Sequence, residues 1–174
     1  MNQTRQQGFS MMEVLVTIAI VMLGLLGMAG LQTRATMTEM ESYQRAQALV
    51  LLQEMADRLS ANKMDHAAYV ASELGGTGAL KDCSAGTVAQ KDLCEWHNAL
   101  LGVSETSADA KSVGAMVGAR GCITSPAANI HVITVAWQGL VPTAAPADQC
   151  GLNAYGDDRQ RRTVSTAVRK AVLD

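Results

Sequence analysis

A long apolar run lies close to the N-terminus of the chain. Twenty residues without a charge separate Glu13 from Arg34, and the polar side chains among them are chiefly Thr17, Gln32 and Thr33. At about 1.5 Å of rise per residue, a helix of this length spans about 30 Å, the thickness of the hydrocarbon core of a bilayer. The pattern therefore predicts a helix that can cross a membrane.

Beyond Arg34 the apolar positions continue at helical spacing, three or four residues apart, with charged residues between them. These apolar positions are Met37, Met40, Tyr43, Ala46, Leu49, Leu52, Met55, Ala56 and Leu59. The pattern predicts one continuous helix from about Phe9 to Asn62, in which the first half suits lipid and the second half is amphipathic.

The part of the chain that follows predicts shorter elements. Three glycines predict a loop in residues 71–83. Residues 91–101 predict a short helix, whose expected buried side chains are Leu93, Trp96, Leu100 and Leu101. Residues 104–114 are polar and predict a connector between this helix and the strands that follow.

Two segments near residue 130 predict paired strands. They read GCI and NIHVITVAWQGL, and the turn expected between them contains Ser125, Pro126 and Asn129. A turn-rich excursion, VPTAAPADQCGLNAYGDD (141–158), comes next, and RRTVSTAVRKAVL predicts a last strand. The expected fold class is α+β, with a long N-terminal helix packed on a small antiparallel sheet.

Acidic and basic residues are nearly balanced, with 14 basic and 16 acidic side chains and a formal net charge of −2. Such a balance gives no general attraction to nucleic acid or anionic lipid. The segment DDRQRR supplies three cations for possible phosphate contacts, Arg159, Arg161 and Arg162. Because Asp157 and Asp158 adjoin them, we expect a solvated start of a strand and no nucleic acid partner.

Side chains suited to metal binding or catalysis do not form a complete set in the sequence. Cys94 and His97 lie three residues apart and Cys83 lies upstream, but structural zinc takes four ligands. His66 and His131 are isolated, and no nucleophile-elbow motif is present. We therefore expect neither enzymatic activity, nor a metal site, nor a cofactor.

The cysteines indicate an exported domain. Arg5 and the terminal amine precede the apolar run, which holds that end in the cytoplasm and places the rest of the chain outside, where disulfides persist. Three pairings of four cysteines are possible, and the sequence alone does not choose between them. We favour the sequential pairing of Cys83 with Cys94 and of Cys122 with Cys150.

A secretory signal peptide is the alternative interpretation of the N-terminal run. Such a peptide has 7–15 apolar residues followed by a cleavage site of small residues. Here the run is longer, and Ala29, Gly30 and Ala35 form a poor site. The apolar pattern also continues into an amphipathic helix. A mature protein that starts near Leu31 or Thr36 would contradict the membrane-helix interpretation.

The stretch GFSMMEVLVTIAI, with Gly8, Phe9 and Glu13 in register, resembles the processing motif of type IV pilins and type II secretion pseudopilins. The resemblance implies the pilin fold, cleavage by a prepilin peptidase between Gly8 and Phe9, and N-methylation of Phe9. The segments LGLLGMAGLQTRA and YGDDRQRRTVSTAV look most like the PilV type of minor pilin.

This resemblance implies four segments: a leader peptide (1–8), a transmembrane and filament-core helix half (9–33), an amphipathic helix half (34–63) and a disulfide-stabilised head (64–174). It implies a minor pilin anchored in the inner membrane, with a periplasmic head, that later joins a pilus in a tip or initiation complex. The implied partners are major and minor pilins, the prepilin peptidase, the assembly platform and a tip adhesin. The alternatives are a secretion pseudopilin and a pilin whose head binds DNA or a surface.

Glu13 has a physical role under this interpretation. A carboxylate held within a bilayer costs about 2.5–3.5 kcal/mol on insertion scales, so it needs a partner. Cleavage after Gly8 would create a cationic amine on Phe9, which can pair with Glu13 of a neighbouring subunit and fix the axial register of the helices. The alternative is that Glu13 lies at the membrane interface as an acid at a helix N-terminus.

Gly24, Gly27 and Gly30 interrupt the apolar span. Each glycine weakens a helix by about 1 kcal/mol relative to alanine, and small residues also allow helices to pack closely. Major pilins often carry a helix-breaking proline near this depth, where this chain has Gly30. We favour close packing, and local melting on assembly stays open.

Overall fold

The computed structural model describes residues 9–103 and 116–170. The chain divides into two compact units between Met40 and Glu41. Helix α1 (Met11–Ala61) belongs to both units, and its bounds confirm the single long helix expected from the apolar periodicity. The two units are described separately below.

The described part of the first unit consists of the beginning of α1 and the two residues before it. Every side chain described in this unit is exposed, including the whole apolar run. The hydrophobic residues here therefore form no core of their own. An apolar helix without a covering layer is a segment whose partner is lipid or another protein.

The second unit begins with the amphipathic part of α1. One face of the helix is buried at spacings of mainly three and four residues, as expected for a helix that packs along one side. The buried residues are Gln44, Ala48, Leu52, Met55, Ala56 and Leu59. Arg58 is not among these buried residues, and it forms ion pairs with Glu54, Asp92 and Glu95 at 2.8, 3.0 and 2.6 Å.

A four-stranded antiparallel sheet follows, in the order β1-β2-β3-β4. Its strands are β1 (Ala71–Gly75), β2 (Arg120–Ala127), β3 (Ile130–Gln138) and β4 (Arg161–Arg169). Helix α2 (Val88–Leu100) lies between β1 and β2 in the chain, and short 3-10 helices cover His66–Tyr69 and Asp158–Gln160. The helix and the sheet together confirm the expected α+β, pilin-like fold class.

The core of the second unit lies between the two helices and one face of the sheet. Trp96 of α2 is fully buried, and its indole N–H donates to the Leu51 carbonyl of α1 at 3.0 Å. Gly121 of β2 permits this position, since a Cβ there would lie 2.4 Å from the Trp96 ring. Ile133 and Val135 of β3 complete the packing and have no exposed surface.

Strand β1 corrects the expectation of a loop in residues 71–83. Ala71, Leu74 and Gly75 pair with β2, although Gly75 ends the strand and two more glycines follow closely. Gly75 and Gly76 adopt φ values of +78° and +69°, which end the strand and turn the chain away. The glycines thus mark the end of an edge strand, and the prediction of a loop is wrong for residues 71–75.

The β2–β3 turn is shorter than expected. Ala127 pairs with Ile130, so Ala128 and Asn129 form the turn, while Ser125 and Pro126 belong to β2. A register shift between Thr124 and Ala127 accommodates Pro126. Proline has no backbone N–H to donate to the neighbouring strand, and at a bulge none is required. Asn129 has a φ of +63°, which asparagine tolerates better than most residues.

Helix α2 begins earlier than expected and has a different buried face. Thr87 caps it in a capping box with Gln90, so the helix starts at Val88. The predicted burial is confirmed for Trp96 and Leu100, but Leu93 and Leu101 are only partly buried. Ala89 and His97 are buried instead. The predicted polar connector at 104–114 lies outside the described residues.

Candidate functional site

The candidate functional segment begins where α1 starts. Gly8 lies outside the described residues, and Phe9 is 84% exposed. Ser10 precedes the helix, where its Oγ accepts from the Met12 backbone N–H at 3.3 Å and its carbonyl accepts from the Glu13 N–H at 3.0 Å. A serine at this position satisfies an otherwise free N–H of the first turn. The helix therefore starts within two residues of Phe9.

Glu13 lies in the first turn of α1, and its side chain is exposed. A carboxylate at this end of a helix is stabilised by the partial positive charge of the free backbone N–H groups. The position also leaves the carboxylate accessible to a cationic group from outside the subunit. Glu13 can therefore interact with the N-terminus of its own helix and with a cationic group of a partner.

The apolar part of α1 has the properties of a membrane-crossing segment. An 18-residue window reaches a mean hydropathy of 2.6, and none of that window is buried. The Thr17 hydroxyl donates to the Val14 carbonyl at 2.9 Å, and the Thr33 hydroxyl donates to the Ala29 carbonyl at 3.0 Å. Because these hydroxyls are satisfied within the helix, they are less costly in an apolar medium.

The glycines of the span lie within unbroken helix. A Cβ placed on Gly24, Gly27 or Gly30 would meet no atom within 4 Å. Within the chain itself, these positions therefore do not need glycine for space. Each glycine leaves a shallow place on the helix surface where another helix can approach closely.

Residues 3–29 match a family model described as the prokaryotic N-terminal methylation motif. No curated protein and no solved structure matched the chain. The matched segment contains Phe9, Glu13 and most of the exposed apolar run. Together with the long helix and the small sheet, the match supports a type IV pilin-like protein, either a pilin or a pseudopilin. Such a motif implies interaction with other pilins and with a prepilin peptidase.

Two disulfides stabilise the second unit. Cys83 joins Cys94, which ties the loop after β1 to α2, and Cys122 joins Cys150, which ties β2 to the excursion after β3. This is the sequential pairing favoured in the sequence analysis. The Cα atoms of the two pairs lie 5.6 and 5.8 Å apart, separations that a disulfide spans readily.

His97 takes part in a structural contact beside the first disulfide. Its Nδ1 accepts from the Gly75 backbone N–H at 2.9 Å, and its Nε2 lies 3.0 Å from the Ala79 carbonyl. The ring thereby holds the chain where β1 ends. With Cys83 and Cys94 oxidised, the described residues contain no group of three or more side chains that could hold a metal ion.

Arg161 is the centre of a second cluster, on the sheet face opposite the core. The side chain is 1% exposed, and its Nε and Nη2 donate to the Asp158 carboxylate at 2.6 and 3.0 Å. Further N–H groups donate to the carbonyls of Pro146, Asp148 and Cys150 at 3.0, 2.8 and 3.0 Å. The Arg161 guanidinium thus binds the excursion that follows β3 at several points.

The expectation of a solvated start of β4 is wrong for Arg161. The planar guanidinium donates to several acceptors of the excursion at once. These hydrogen bonds offset the free-energy cost of burying the charge. The hydrogen bonds from Arg161 are the main cause that lowers the pKa of Asp158. Arg159 remains exposed and pairs with Asp157 at 2.8 Å. The Arg161 side chain is therefore not accessible to a phosphate.

Arg162 joins the excursion to α1 within the second unit. Its Nη2 donates to the Val141 carbonyl at 2.6 Å and lies 3.3 Å from the Glu41 carboxylate. The same Glu41 oxygen accepts from the backbone N–H of Leu140 at 3.0 Å. The acidic residue at the beginning of this unit therefore fixes the first residues after β3.

His66 and His131 are not isolated, contrary to the sequence-based expectation. Their rings meet edge to face, with centroids 5.4 Å apart and planes at 78°. His66 begins the first 3-10 helix and His131 lies on β3. No local pattern relates two residues so distant in the chain. They meet because the first 3-10 helix lies beside β3.

Proposed function

We propose that this protein is a minor pilin of a type IV pilus, held in the inner membrane by the first half of α1 until it joins a filament. The observation that carries the proposal is the methylation motif at residues 3–29, which places Phe9 and Glu13 at the start of an exposed apolar helix. The likeness to PilV-type minor pilins favours a position in a tip or initiation complex.

The proposed layout follows the motif. Residues 1–8 are a leader that the prepilin peptidase removes after Gly8, residues 9–33 cross the membrane or enter the filament core, and residues 34–63 continue the helix. Residues 64–174 form the periplasmic head. The partners are major and minor pilins, the assembly platform and a tip adhesin. Arg5 ahead of the span supports the orientation, because basic residues favour the cytoplasmic side.

Transfer from lipid to filament needs an interaction that offsets the cost of an acid within the bilayer. The new amine of Phe9 carries a positive charge, and Glu13 of the neighbouring subunit carries a negative one. Their attraction is stronger in an apolar setting than in water, and it acts at one axial register. The exposed glycines then allow the helices to approach closely.

The first test is the intact mass of the protein extracted from membranes. We expect the loss of residues 1–8 and the gain of one methyl group. A mature protein that starts near Leu31 or Thr36 would show a secretory signal peptide and would refute the proposal. A full-length mass in a strain with an active prepilin peptidase would also contradict it.

The second test uses Glu13→Gln, with Glu39→Gln as its matched control on an exposed position of the same helix. Glu13→Gln should be processed and inserted normally but should be depleted from sheared filaments. Glu39→Gln should be present in filaments at the wild-type level. Equal incorporation of both variants would remove the assembly role of Glu13.

A pseudopilin of a secretion system is the second candidate, because the methylation motif is common to both classes. Deletion of the gene separates the candidates when surface pili, secretion and DNA uptake are scored independently. Loss of pili supports the minor pilin. Loss of secretion with normal pili supports the pseudopilin. Loss of DNA uptake alone, with normal pili, supports a displayed DNA-binding head.

A further inference from the structure

A cleft of about 400 Å³ lies beside the histidine pair, where the first 3-10 helix, the β2–β3 turn and the end of β4 meet. The residues that line it and matter here are Met64, Asp65, His66, Asn129, His131 and Lys170. Four of these six side chains are ionisable, and three of the four are basic. The cleft belongs wholly to the second unit and has no part in the N-terminal motif.

The imidazoles in this cleft have unused hydrogen-bonding capacity. Both histidines are 5% exposed. Among the described residues, neither ring nitrogen of His66 has a hydrogen-bond partner, and neither has Nδ1 of His131. Buried polar groups ordinarily have partners, because a buried N–H or lone pair without one costs about 1–3 kcal/mol. Two adjacent imidazoles in this condition point to a ligand that supplies the missing hydrogen bonds.

The surroundings of His66 oppose its protonation. Burial is the main cause that lowers the pKa of His66, followed by the charges of His131 and Lys170. Asp65 is the carboxylate in the lining. An added negative group would reverse the balance, since it would be attracted by Lys170 and by either imidazolium.

We propose that this cleft binds a small oxyanion of the carboxylate, phosphate or sulfate class, with uptake of a proton by the histidine pair. Lys170 supplies the permanent positive charge, and an imidazolium supplies a charged donor. Because the ring nitrogens are covered, binding includes rotation of one ring toward the cleft. A cation is disfavoured, since it would meet Lys170 and the described residues contain no group of three or more side chains that could hold a metal ion.

The backbone around the cleft is held independently of the Lys170 side chain. The Lys170 backbone N–H donates to the Asn129 carbonyl at 2.9 Å. The Ser125 hydroxyl lies within hydrogen-bonding distance of the Ala127 and Ile130 carbonyls, at 3.3 and 3.2 Å. A change at the end of the Lys170 side chain therefore leaves these turn contacts in place, which makes this residue suitable for substitution.

Binding and protonation must affect each other equally. If the bound oxyanion raises the pKa of the histidine pair by one unit, then the protonated protein binds the oxyanion about tenfold more tightly than the neutral form. Sulfate is the appropriate probe, because its own charge does not change between pH 5.5 and 7.5. Chloride at the same ionic strength controls for screening.

The experiment uses the full chain in uncharged detergent micelles, with ¹³C-labelled histidine ε1 positions observed by NMR. The chain has three histidines, and His97 provides an internal reference because it lies outside the cleft. Sulfate at pH 5.5 should shift the signals of His66 and His131 beyond the chloride control and leave that of His97 unchanged. The affinity should be lower at pH 7.5, with about tenfold as the upper limit for a pKa rise of one unit.

Variants complete the test. Lys170→Gln should weaken sulfate binding at pH 5.5, while Lys91→Gln, which removes a lysine from α2, should bind like wild type. His66→Gln should abolish the pH dependence. Failure of sulfate to shift either cleft histidine beyond chloride would overturn the proposal, and so would wild-type binding by Lys170→Gln. If Lys91→Gln weakened binding as much as Lys170→Gln, the effect would be general ionic attraction, which also refutes a specific site.

Discussion

The buried guanidinium of Arg161 gives a quantitative prediction for the stability of the head. Arg161→Met keeps an unbranched apolar side chain of similar reach but removes every hydrogen bond to the excursion after β3. The wild-type contacts join this side chain to the Asp158 carboxylate and to the carbonyls of Pro146, Asp148 and Cys150. The variant leaves those carbonyls without their donor.

The expected loss can be estimated from these contacts. Removal of one partner from a buried ion pair costs about 3–5 kcal/mol. Asp158 keeps 27% of its side chain exposed, so water replaces part of what it loses. We therefore expect a loss near the lower bound, about 3 kcal/mol. With a urea m-value of about 1.5 kcal/mol/M, the unfolding midpoint should fall by about 2 M.

The assay is urea unfolding of the oxidised full chain in uncharged detergent, followed by tryptophan fluorescence. The two tryptophans, Trp96 and Trp137, are both buried in the head and report on this unit alone. Arg159→Met is the matched control, because its side chain is 66% exposed and pairs only with its neighbour Asp157 among the described residues. An unchanged midpoint for Arg161→Met, or an equal fall for both variants, would refute the reasoning.

Three further predictions concern the same unit. Cys122→Ser opens a loop whose ends are 28 residues apart, which the chain-entropy relation converts to about 3.6 kcal/mol, measurable as a lower urea midpoint. Gly121→Ala should cost about 1–3 kcal/mol and alter the near-ultraviolet circular dichroism, because the new Cβ meets the Trp96 ring; an unaltered spectrum and midpoint would contradict this packing. Burial, and then the hydrogen bond to a carboxylate, raise the pKa of Tyr69 to about 12, above its usual value of 10. The neutral phenol thus stabilises the fold below pH 10, and this contribution is lost as the pH rises from 10 to 12. Tyr69→Phe should reduce the loss of stability in that window, and identical alkaline unfolding curves would count against it.

The long helix could be predicted almost completely from the sequence because its signal is local and repeated. Twenty uncharged residues and a regular apolar stripe set its bounds to within two residues at each end. The methylation motif is local as well, since Phe9 and Glu13 lie four residues apart within one segment. Local signals of this kind do not depend on the rest of the fold.

Strand β1, the environment of Arg161 and the histidine pair could not be predicted in the same way. Strand β1 is extended because Ala71, Leu74 and Gly75 pair with residues of β2 about fifty positions away in sequence. Arg161 is buried because carbonyls from a separate excursion surround it. His66 and His131 meet because the first 3-10 helix lies beside β3. In each case the deciding partner is distant in sequence, and periodicity carries no information about it.

The two disulfides also set how far the head can be stretched. Each bond closes a loop within the head, and neither bond joins α1 to the sheet. A pulling force on the two ends of the chain would reach Cys122 and then pass directly to Cys150. Cys122 and Cys150 are 28 positions apart in sequence. Without the disulfide, the segment between them would extend to roughly 95 Å at about 3.4 Å per residue. Oxidation of the cysteines therefore shortens the length that the unfolded head can reach under force. The connection between α1 and the sheet depends on non-covalent packing and the backbone alone.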